Sequence, residues 1–360
     1  MLKIIHGADF HLDSPFSGLT PERAAQRRGE QRELLSRLAQ LARERQADLV
    51  LLSGDLLDSE RLFRETARAL SQSLGAIPCP VLLAPGNHDF YSTSSPYAAL
   101  DWPDNVHIFR SGEMEAVPLP SLGCTVYGRA FTAPRQESSP LVGFRAEGAG
   151  LKLGCLHGDT APNSPYGPIT GEEIAGCGLD YLALGHIHQC SGLQRSGGTF
   201  WAYPGCPEGR GFDELGVKGV LYLEAEPGNV TAQFVPLCRR RYEILTVDLT
   251  GAADPLSAIL EAMPRDTGEN VCRILLTGEG EAPDLPALER TLSPRFYGLT
   301  LIDRTRLPRD LWQRRGESSL TGLFLEEMWQ LCQTDPENPA YQLAARFGLA
   351  ALENGEDAAL

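Results

Sequence analysis

The sequence lacks both a long apolar run and a paired cysteine motif. No stretch of about 18 or more consecutive apolar residues occurs, so the sequence predicts no transmembrane helix. The nine cysteines are scattered singly, without a C-x-x-C pair, which excludes a cysteine zinc knuckle or a disulfide framework. No charged segment with a small-residue cleavage site precedes the first apolar run. We therefore expect a cytoplasmic protein with reduced cysteines and no membrane attachment.

Lysine is nearly absent, and acidic residues outnumber basic ones. The chain has only Lys3, Lys152 and Lys218 as lysines, and its formal net charge is −15 at pH 7. A protein that holds DNA by itself through counterion release is usually basic. The charge predicts either that this chain is no stand-alone DNA binder or that a partner supplies the positive field.

Strand and helix signals alternate through the first ninety residues. Apolar runs at 2–8, 49–53 and 80–84 predict strands. A helix is expected to begin at Thr20 and Pro21, and Ser59 is expected to cap the next helix. This β-α-β-α-β order predicts a layered α/β sheet.

The character of the chain changes twice after that. Short apolar runs separated by glycine, proline and serine fill residues 106–240, and three consecutive arginines at 239–241 mark a boundary. We predict a first domain over 1–240, a small α/β domain over 241–305 and a helical segment over 306–360 that is a candidate for partner docking. The apolar face predicted in that segment comprises Leu320, Leu323, Phe324 and Met328. The same part of the chain carries a basic cluster. Three alternatives stay open for it, namely contact with DNA phosphates, contact with an acidic partner surface, and a face exposed to solvent. Its members are Arg304, Arg306, Arg309, Arg314 and Arg315.

Short polar clusters stand directly after predicted strands. In chain order they are Asp9-x-His11, Gly54-Asp55, Gly86-Asn87-His88-Asp89, His157-Gly158-Asp159 and Gly185-His186-x-His188. In open α/β sheets, ligands bind outside the carboxyl ends of the strands. Carboxylate, imidazole and amide oxygen are donors suited to divalent ions such as Mn²⁺ or Fe²⁺. Each motif alone is weak, but the ordered set predicts a two-metal centre.

The chemistry of such a centre explains these residue types. Two ions about 3.5–4 Å apart need a shared carboxylate between them, and a water that they share has its pKa lowered towards about 7. Neutral imidazoles leave the site positive enough for an anionic substrate. Glycines beside the ligands let the turns approach closely. By contrast, His6 lies within the first strand, where we expect core packing. Trp201 and Tyr203 are candidates for stacking on bases near the site, although packing within a strand core is the favoured alternative.

The ordered motifs resemble those of the calcineurin-like metallophosphoesterase superfamily. The first thirteen residues and the Gly185-x-x-His188 spacing resemble the DNA-repair exonucleases of the SbcD type. The stretch from Tyr203 to Arg210 is similar to the YhaO-like branch of that group. The resemblance implies a four-layer α/β/β/α sandwich, followed by a small C-terminal α/β capping domain and a helical tail.

The resemblance also implies a role for each motif residue. One ion would be held by Asp9, His11 and His188, the other by Asn87, His157 and His186, with Asp55 bridging them. His88 would stabilise the transition state and protonate the leaving oxygen, and Asp89 would orient His88. Manganese is the expected metal, with iron or zinc as alternatives. Asp58 stands where many archaeal and eukaryotic relatives carry histidine, which weakens the inference of processive exonuclease action.

Together these inferences predict a Mn²⁺-dependent phosphodiesterase that hydrolyses DNA with a metal-bridged hydroxide. Its expected partner is an SMC-like coiled-coil ATPase, and a homodimer is a further alternative. A phosphatase or a cyclic-nucleotide phosphodiesterase would use the same chemistry, although a compact enzyme of that kind needs no domain after residue 240. A non-catalytic scaffold subunit with a vestigial site is the third alternative. Every expected donor is present, which disfavours it.

Overall fold

A computed structural model of the chain describes residues 1–59, 62–280, 282–306, 312–336 and 338–354. The chain divides into two units, Met1–Arg241 and Tyr242–Leu360. Within the described ranges, none of the helices combines the length and the apolar character that a membrane span requires.

The first unit contains twelve of the described strands and four of the described α-helices. In chain order they are β1 (Leu2–Gly7), α1 (Pro21–Arg45), β2 (Leu49–Leu52), α2 (Arg64–Gly75), β3 (Val81–Leu83), α3 (Pro96–Ala99), β4 (Val106–Ile108), β5 (Glu115–Leu119), β6 (Cys124–Gly128), β7 (Leu151–His157), α4 (Gly171–Gly176), β8 (Tyr181–Gly185), β9 (Gln194–Ser196), β10 (Thr199–Ala202), β11 (Gly219–Glu226) and β12 (Asn229–Pro236).

These strands form two mixed six-stranded sheets. The first has the order β12-β11-β1-β2-β3-β4, in which β1 to β4 run parallel and β11 lies antiparallel to β1. The second has the order β5-β6-β7-β8-β10-β9, with β6, β7, β8 and β10 parallel. Parallel neighbours in both sheets bring several strand carboxyl ends to one edge.

The apolar side chains sort the first unit into layers. Ile4 and Leu51 of the first sheet pack with Leu153 and Ala183 of the second in one buried cluster between the sheets. Helices α1 and α2 cover the outer face of the first sheet with side chains that include Leu38. Helix α4 covers the outer face of the second sheet. The layer order is α/β/β/α, which confirms the predicted fold class.

The two predicted helix starts had different outcomes. Helix α1 begins as predicted, because Thr20 is its N-cap and Pro21 its first residue. The Ser59 cap is wrong, since α2 begins at Arg64 with Phe63 as N-cap. The Asp13 carboxylate accepts hydrogen bonds from the Phe63 amide (2.9 Å) and from a hydroxyl in the first turn. A residue distant in sequence therefore satisfies this helix end.

The second unit is a smaller α/β structure followed by helices. Its parallel sheet has the order β13-β14-β15. In chain order its elements are β13 (Tyr242–Asp248), α5 (Pro255–Ala262), β14 (Val271–Thr277), α6 (Leu285–Leu292), β15 (Gly298–Asp303), α7 (Leu320–Thr334) and α8 (Pro339–Asn354).

Helix α7 buries only part of the predicted apolar face, because Met328 is buried and Phe324 packs against the same cluster, but the two leucines do not. Leu325, Met328 and Cys332 are buried in a cluster, whereas Leu320 and Leu323 are 69% and 67% exposed. At 100° per residue, Leu323 lies on the opposite side of the helix from the buried stripe, and Leu320 lies beside the stripe, about 80° from Met328.

The predicted basic cluster is partly engaged within its own unit. Arg314 pairs with Glu317 at 3.1 Å, and Arg315 lies over the ring of Trp329. Arg309 lies outside the described residues.

Candidate metal centre

The predicted polar clusters meet at one edge of the first unit. Asp9 follows β1, Asp55 follows β2, and His157 ends β7. The Asp9 carboxylate accepts the backbone amide of His186, after β8, at 3.0 Å. This hydrogen bond joins a loop of the first sheet to a loop of the second, so residues almost 180 positions apart share one site.

Three of the predicted ligands form what we call the first histidine group (Asp9, His11 and His188). The Nε2 atoms of His11 and His188 are 3.1 Å apart. One oxygen of Asp9 and one nitrogen from each histidine all lie within 4.8 Å of one another. Asp9 and His11 are buried, and His188 is half-buried. Three donor atoms thus face a common point.

Three others form the second histidine group (Asn87, His157 and His186). The Oδ1 atom of Asn87 lies 2.9 Å from His157 Nε2 and 3.2 Å from His186 Nδ1. His157 Nδ1 donates to the backbone carbonyl of Ser53 at 3.0 Å. Because Nδ1 carries the proton, the His157 Nε2 lone pair faces the Asn87 oxygen.

Asp55 lies between the two groups. Its Oδ2 atom is 3.7 Å from His11 Nε2 and 3.5 Å from His157 Nε2. Its other oxygen accepts the backbone amide of His88 at 2.9 Å. The carboxylate therefore has one oxygen held by the chain and one directed at both groups.

The backbone is strained where these side chains are displayed. Asp9, His11, Asp55 and His186 have φ angles of 55°, 45°, 50° and 113°. Such non-glycine conformations cost of the order of 1–3 kcal/mol each and cluster at functional sites. The surrounding structure maintains this strain in four of the predicted ligands.

Glycines allow the loops to approach one another. Gly54 has a φ of 88°, and a Cβ atom there would collide with the ring of His157. A Cβ atom on Gly86 would collide with the Asp55 carboxylate. The two glycines therefore permit the close approach that the sequence motifs predict.

The electrostatics of the site suit divalent cations. Burial and the neighbouring Asp55 charge raise the pKa of Asp9 well above its ordinary value. Burial lowers the pKa of His11 and of His186 to about 4, which favours neutral rings with free lone pairs. Carboxylates and neutral imidazoles that converge in a buried space are compensated by bound cations. The residues present thus fit the two ions that the motifs imply.

Asp89 contacts three donors in the loops around the site. Its buried carboxylate accepts the backbone amides of Leu57 (3.0 Å) and Gly86 (2.7 Å) and the hydroxyl of Tyr97. These contacts hold together the loops after β2 and β3. The ring of His88 instead has its Nδ1 atom 3.4 Å from the backbone oxygen of Asp58. Asp89 supports the loops, because its oxygens are occupied by these donors.

His88 is the exposed member of the cluster. Its ring stands edge-on to that of His11, with the centroids 4.8 Å apart. A substrate approaching the two histidine groups from solvent can therefore reach this imidazole.

Several residues at the site carry no role in the sequence prediction. Glu214 and Arg210 contact His188, and the Asp58 carboxylate contacts His11. The ring centroid of Tyr166 is 5.0 Å from that of His186. The sequence analysis singled out Arg210, as the end of the Tyr203–Arg210 stretch, and Asp58, but it predicted no contact of either with the ligands.

The residues expected to pack in the core do so. His6 is fully buried, with its Nδ1 atom 2.8 Å from the Tyr181 hydroxyl. Tyr203 is buried and donates to the Gly158 carbonyl at 2.8 Å. Trp201 is half-buried and packs against the apolar cluster that contains Tyr203.

Comparison with known proteins identifies the family. The family model of the calcineurin-like phosphoesterases matches residues 2–190. The chain belongs to this family. It is therefore a member of a family of metal-dependent phosphoester hydrolases, and its fold implies divalent metal ions at the site described above.

Named relatives resemble most of the chain. The uncharacterized metallophosphoesterase YhaO of Bacillus subtilis (strain 168) is 30% identical over 89% of this chain and 84% of its own length. The SbcD component of the nuclease SbcCD from the same strain is 24% identical over 63% of this chain and 67% of its own length. The DNA double-strand break repair protein Mre11 of Saccharolobus solfataricus is 22% identical over 79% and 77%, respectively.

Proposed function

We propose that this chain is a two-metal phosphodiesterase that cuts DNA. The observation that carries the proposal is the position of Asp55, with one oxygen directed at both histidine groups beside the exposed ring of His88. A single-ion site has no need of such a carboxylate.

We propose the following ligands. The first histidine group would hold one cation, the second would hold another, and Asp55 would contribute a ligand to both. Mn²⁺ suits this mixture of carboxylate, imidazole and amide donors, with Fe²⁺ and Zn²⁺ as alternatives. When bound, the two ions would polarise the phosphoryl group and lower the pKa of a shared water.

The side chains around these ions have separate tasks. The backbone amide of His88 fixes one oxygen of Asp55, so the other keeps its direction. In this proposal, the exposed imidazole of His88 stabilises charge on the phosphoryl oxygens and gives a proton to the leaving oxygen. Asp89 keeps the loop that bears His88 against the loop that bears Asp55.

Relatives and charge support DNA as the substrate within a complex. Two of the similar proteins bear names that describe one part of a nuclease and a DNA double-strand break repair protein. The net charge of −15 disfavours tight binding of DNA by this chain alone. We therefore propose that it is a cytoplasmic nuclease subunit that acts with an SMC-like coiled-coil ATPase. In this proposal residues 1–240 form the nuclease domain, 241–305 a capping domain and 306–360 the docking segment.

Cleavage of DNA by the full chain tests the proposal. End-labelled linear DNA and a small chromogenic phosphodiester are incubated with Mn²⁺ and either wild type or His88→Ala. We expect both substrates to be hydrolysed, and the variant to lose about 10²- to 10⁴-fold in rate through loss of the proton donor. His107→Ala, in β4, is the matched histidine control and should retain the wild-type rate.

The pattern of loss separates the alternatives. Turnover of the small diester without cleavage of DNA, even with added ATPase, would point to a small-molecule phosphodiesterase. Two bound ions without turnover of either substrate would favour a scaffold subunit. Equal rates for wild type and His88→Ala would remove His88 from the reaction.

A further inference from the structure

In the first histidine group, the Nδ1 atom of each histidine ring lies close to a carboxylate. Glu214 Oε1 lies 2.6 Å from His188 Nδ1, and Asp58 Oδ1 lies 3.2 Å from His11 Nδ1. A carboxylate only accepts hydrogen bonds, so the Glu214 contact favours a proton on His188 Nδ1 and a lone pair on its Nε2 atom. The Asp58 carboxylate faces His11 Nδ1 as a nearby negative charge without hydrogen-bond geometry. The Nε2 atoms of the two histidines face each other at 3.1 Å.

Arg210 joins the two carboxylates into one frame. Its guanidinium lies 3.2 Å from Asp58 Oδ1 and 2.8 Å from Glu214 Oε1. Its backbone amide donates to Glu214 Oε2 at 2.7 Å. Glu214 is only 4% exposed. A guanidinium between two carboxylates keeps both ionised and in place, so both histidines are oriented by a single charged unit.

The second histidine group has weaker support. His157 Nδ1 contacts the neutral carbonyl of Ser53, as described above. The Nε2 atom of His186 is 3.8 Å from the Asp159 carboxylate, beyond hydrogen-bond distance. A carboxylate partner raises the basicity of a histidine ligand and fixes its tautomer and ring orientation. The two groups therefore differ in the partners of their rings. A carboxylate oxygen lies within 3.2 Å of each Nδ1 atom in the first group, whereas the corresponding partners in the second group are a neutral carbonyl and a more distant carboxylate.

We propose that Glu214, Asp58 and Arg210 are positioning residues that strengthen cation binding at the first histidine group. Consequently, this group fills with Mn²⁺ before the second. The inference rests on the ligand assignment of the proposed function. It adds an order of filling and names three residues that act through the ligands.

Titration of the purified full chain with Mn²⁺ alone tests the inference. Isothermal titration calorimetry and metal analysis should show two ions per wild-type chain, bound with unequal affinity. In Glu214→Gln the amide keeps the shape of the side chain but loses its charge. We expect the tighter site to weaken roughly 10- to 100-fold and the other to change little. Electron paramagnetic resonance should then show fewer coupled Mn²⁺ pairs at the same Mn²⁺ concentration.

Glu208→Gln is the matched control. Glu208 lies six residues earlier in the same loop and is 5% exposed, but its carboxylate contacts Arg27 at 2.6 Å. Loss of this buried ion pair should lower the free energy of unfolding, but the folded variant should bind both ions as the wild type does. An equal loss of affinity in Glu208→Gln would mean that the loop, and not the Glu214 charge, matters, and would overturn the inference.

Asp58→Asn provides a second test at the other end of the frame. The Asp58 side chain is 18% exposed, so its replacement disturbs the core less. Asp58→Asn should weaken the same site as Glu214→Gln does. If Glu214→Gln does not fold, the Mn²⁺ affinities of Asp58→Asn test the inference by themselves. Unchanged affinities in both variants would overturn only this inference. Failure of the wild type to bind two ions would instead overturn the ligand assignment.

Discussion

Two buried clusters of charged residues in the first unit have opposite arrangements of charge. In the site, the Asp9 and Asp55 carboxylates converge, and burial lowers the pKa of His11 and of His186 to about 4. In what we call the structural ion cluster (Arg27, Glu30, Glu208 and Arg240), opposite charges alternate. Arg27 contacts Glu30 at 2.7 Å and Glu208 at 2.6 Å. Arg240 contacts Glu30 through two nitrogens.

The difference shows what each cluster is for. The structural ion cluster neutralises itself and ties helix α1 to the loop at Glu208 and to the chain at Arg240. Its role is to hold segments together. The site leaves like charges and lone pairs facing one another, which is unfavourable until cations bind. Changes to the first cluster should therefore affect folding, and changes to the second should affect cation binding.

The largest expected effect is on folding, from Glu30→Gln. This change removes the negative charge that faces Arg240 and Arg27 in a buried place, and breaking such a pair costs about 3–5 kcal/mol. Urea denaturation at pH 7 should show that loss in the free energy of unfolding. Glu33→Gln, on the same helix with a side chain 57% exposed, should change it by less than about 0.5 kcal/mol. Equal effects of the two variants would show that burial of the pair is irrelevant.

The next effect has the opposite sign and concerns Asp9→Asn. Free Mn²⁺ at a hundred times its Kd should stabilise the wild type by about 2.7 kcal/mol for one site. Asp9→Asn should lose much of that gain, yet the metal-free variant should melt above the metal-free wild type because a disfavoured charge is gone. Thermal melts with Mn²⁺ and with EDTA measure both quantities. A metal-free variant that melts lower would contradict the proposed repulsion.

The smallest effect is a pH dependence confined to the structural ion cluster. Burial raises the pKa of Glu30, but hydrogen bonds and charge from Arg240 and Arg27 outweigh it and lower the pKa to about 2. A depressed folded-state pKa stabilises the protein above the unfolded value of 4.5, and that contribution is lost as the pH falls towards 2. The difference in unfolding free energy between wild type and Glu30→Gln should therefore shrink by about 1–3 kcal/mol over this window. A difference that stays constant would argue against an ionised, paired Glu30.

Local patterns predicted much of the architecture. The apolar runs at β1, β2 and β3 and the Thr20-Pro21 start of α1 are where the sequence places them. The errors arose where a tertiary contact replaced a local signal. Asp13 accepts the backbone amide of Phe63, the N-cap of α2, in place of Ser59, and helix α7 presents Leu325 to its core in place of Leu323.

The sequence by itself determined which chemical groups stand at the strand ends, because each motif is a short run of neighbouring residues. Their convergence follows from parallel strands whose carboxyl ends share an edge. Only the tertiary structure decided which charged side chains contact those groups. Arg210 and Asp58 are 152 positions apart, and Glu214 follows His188 by 26. No periodicity links such residues, since loop packing between the two sheets brings them into contact.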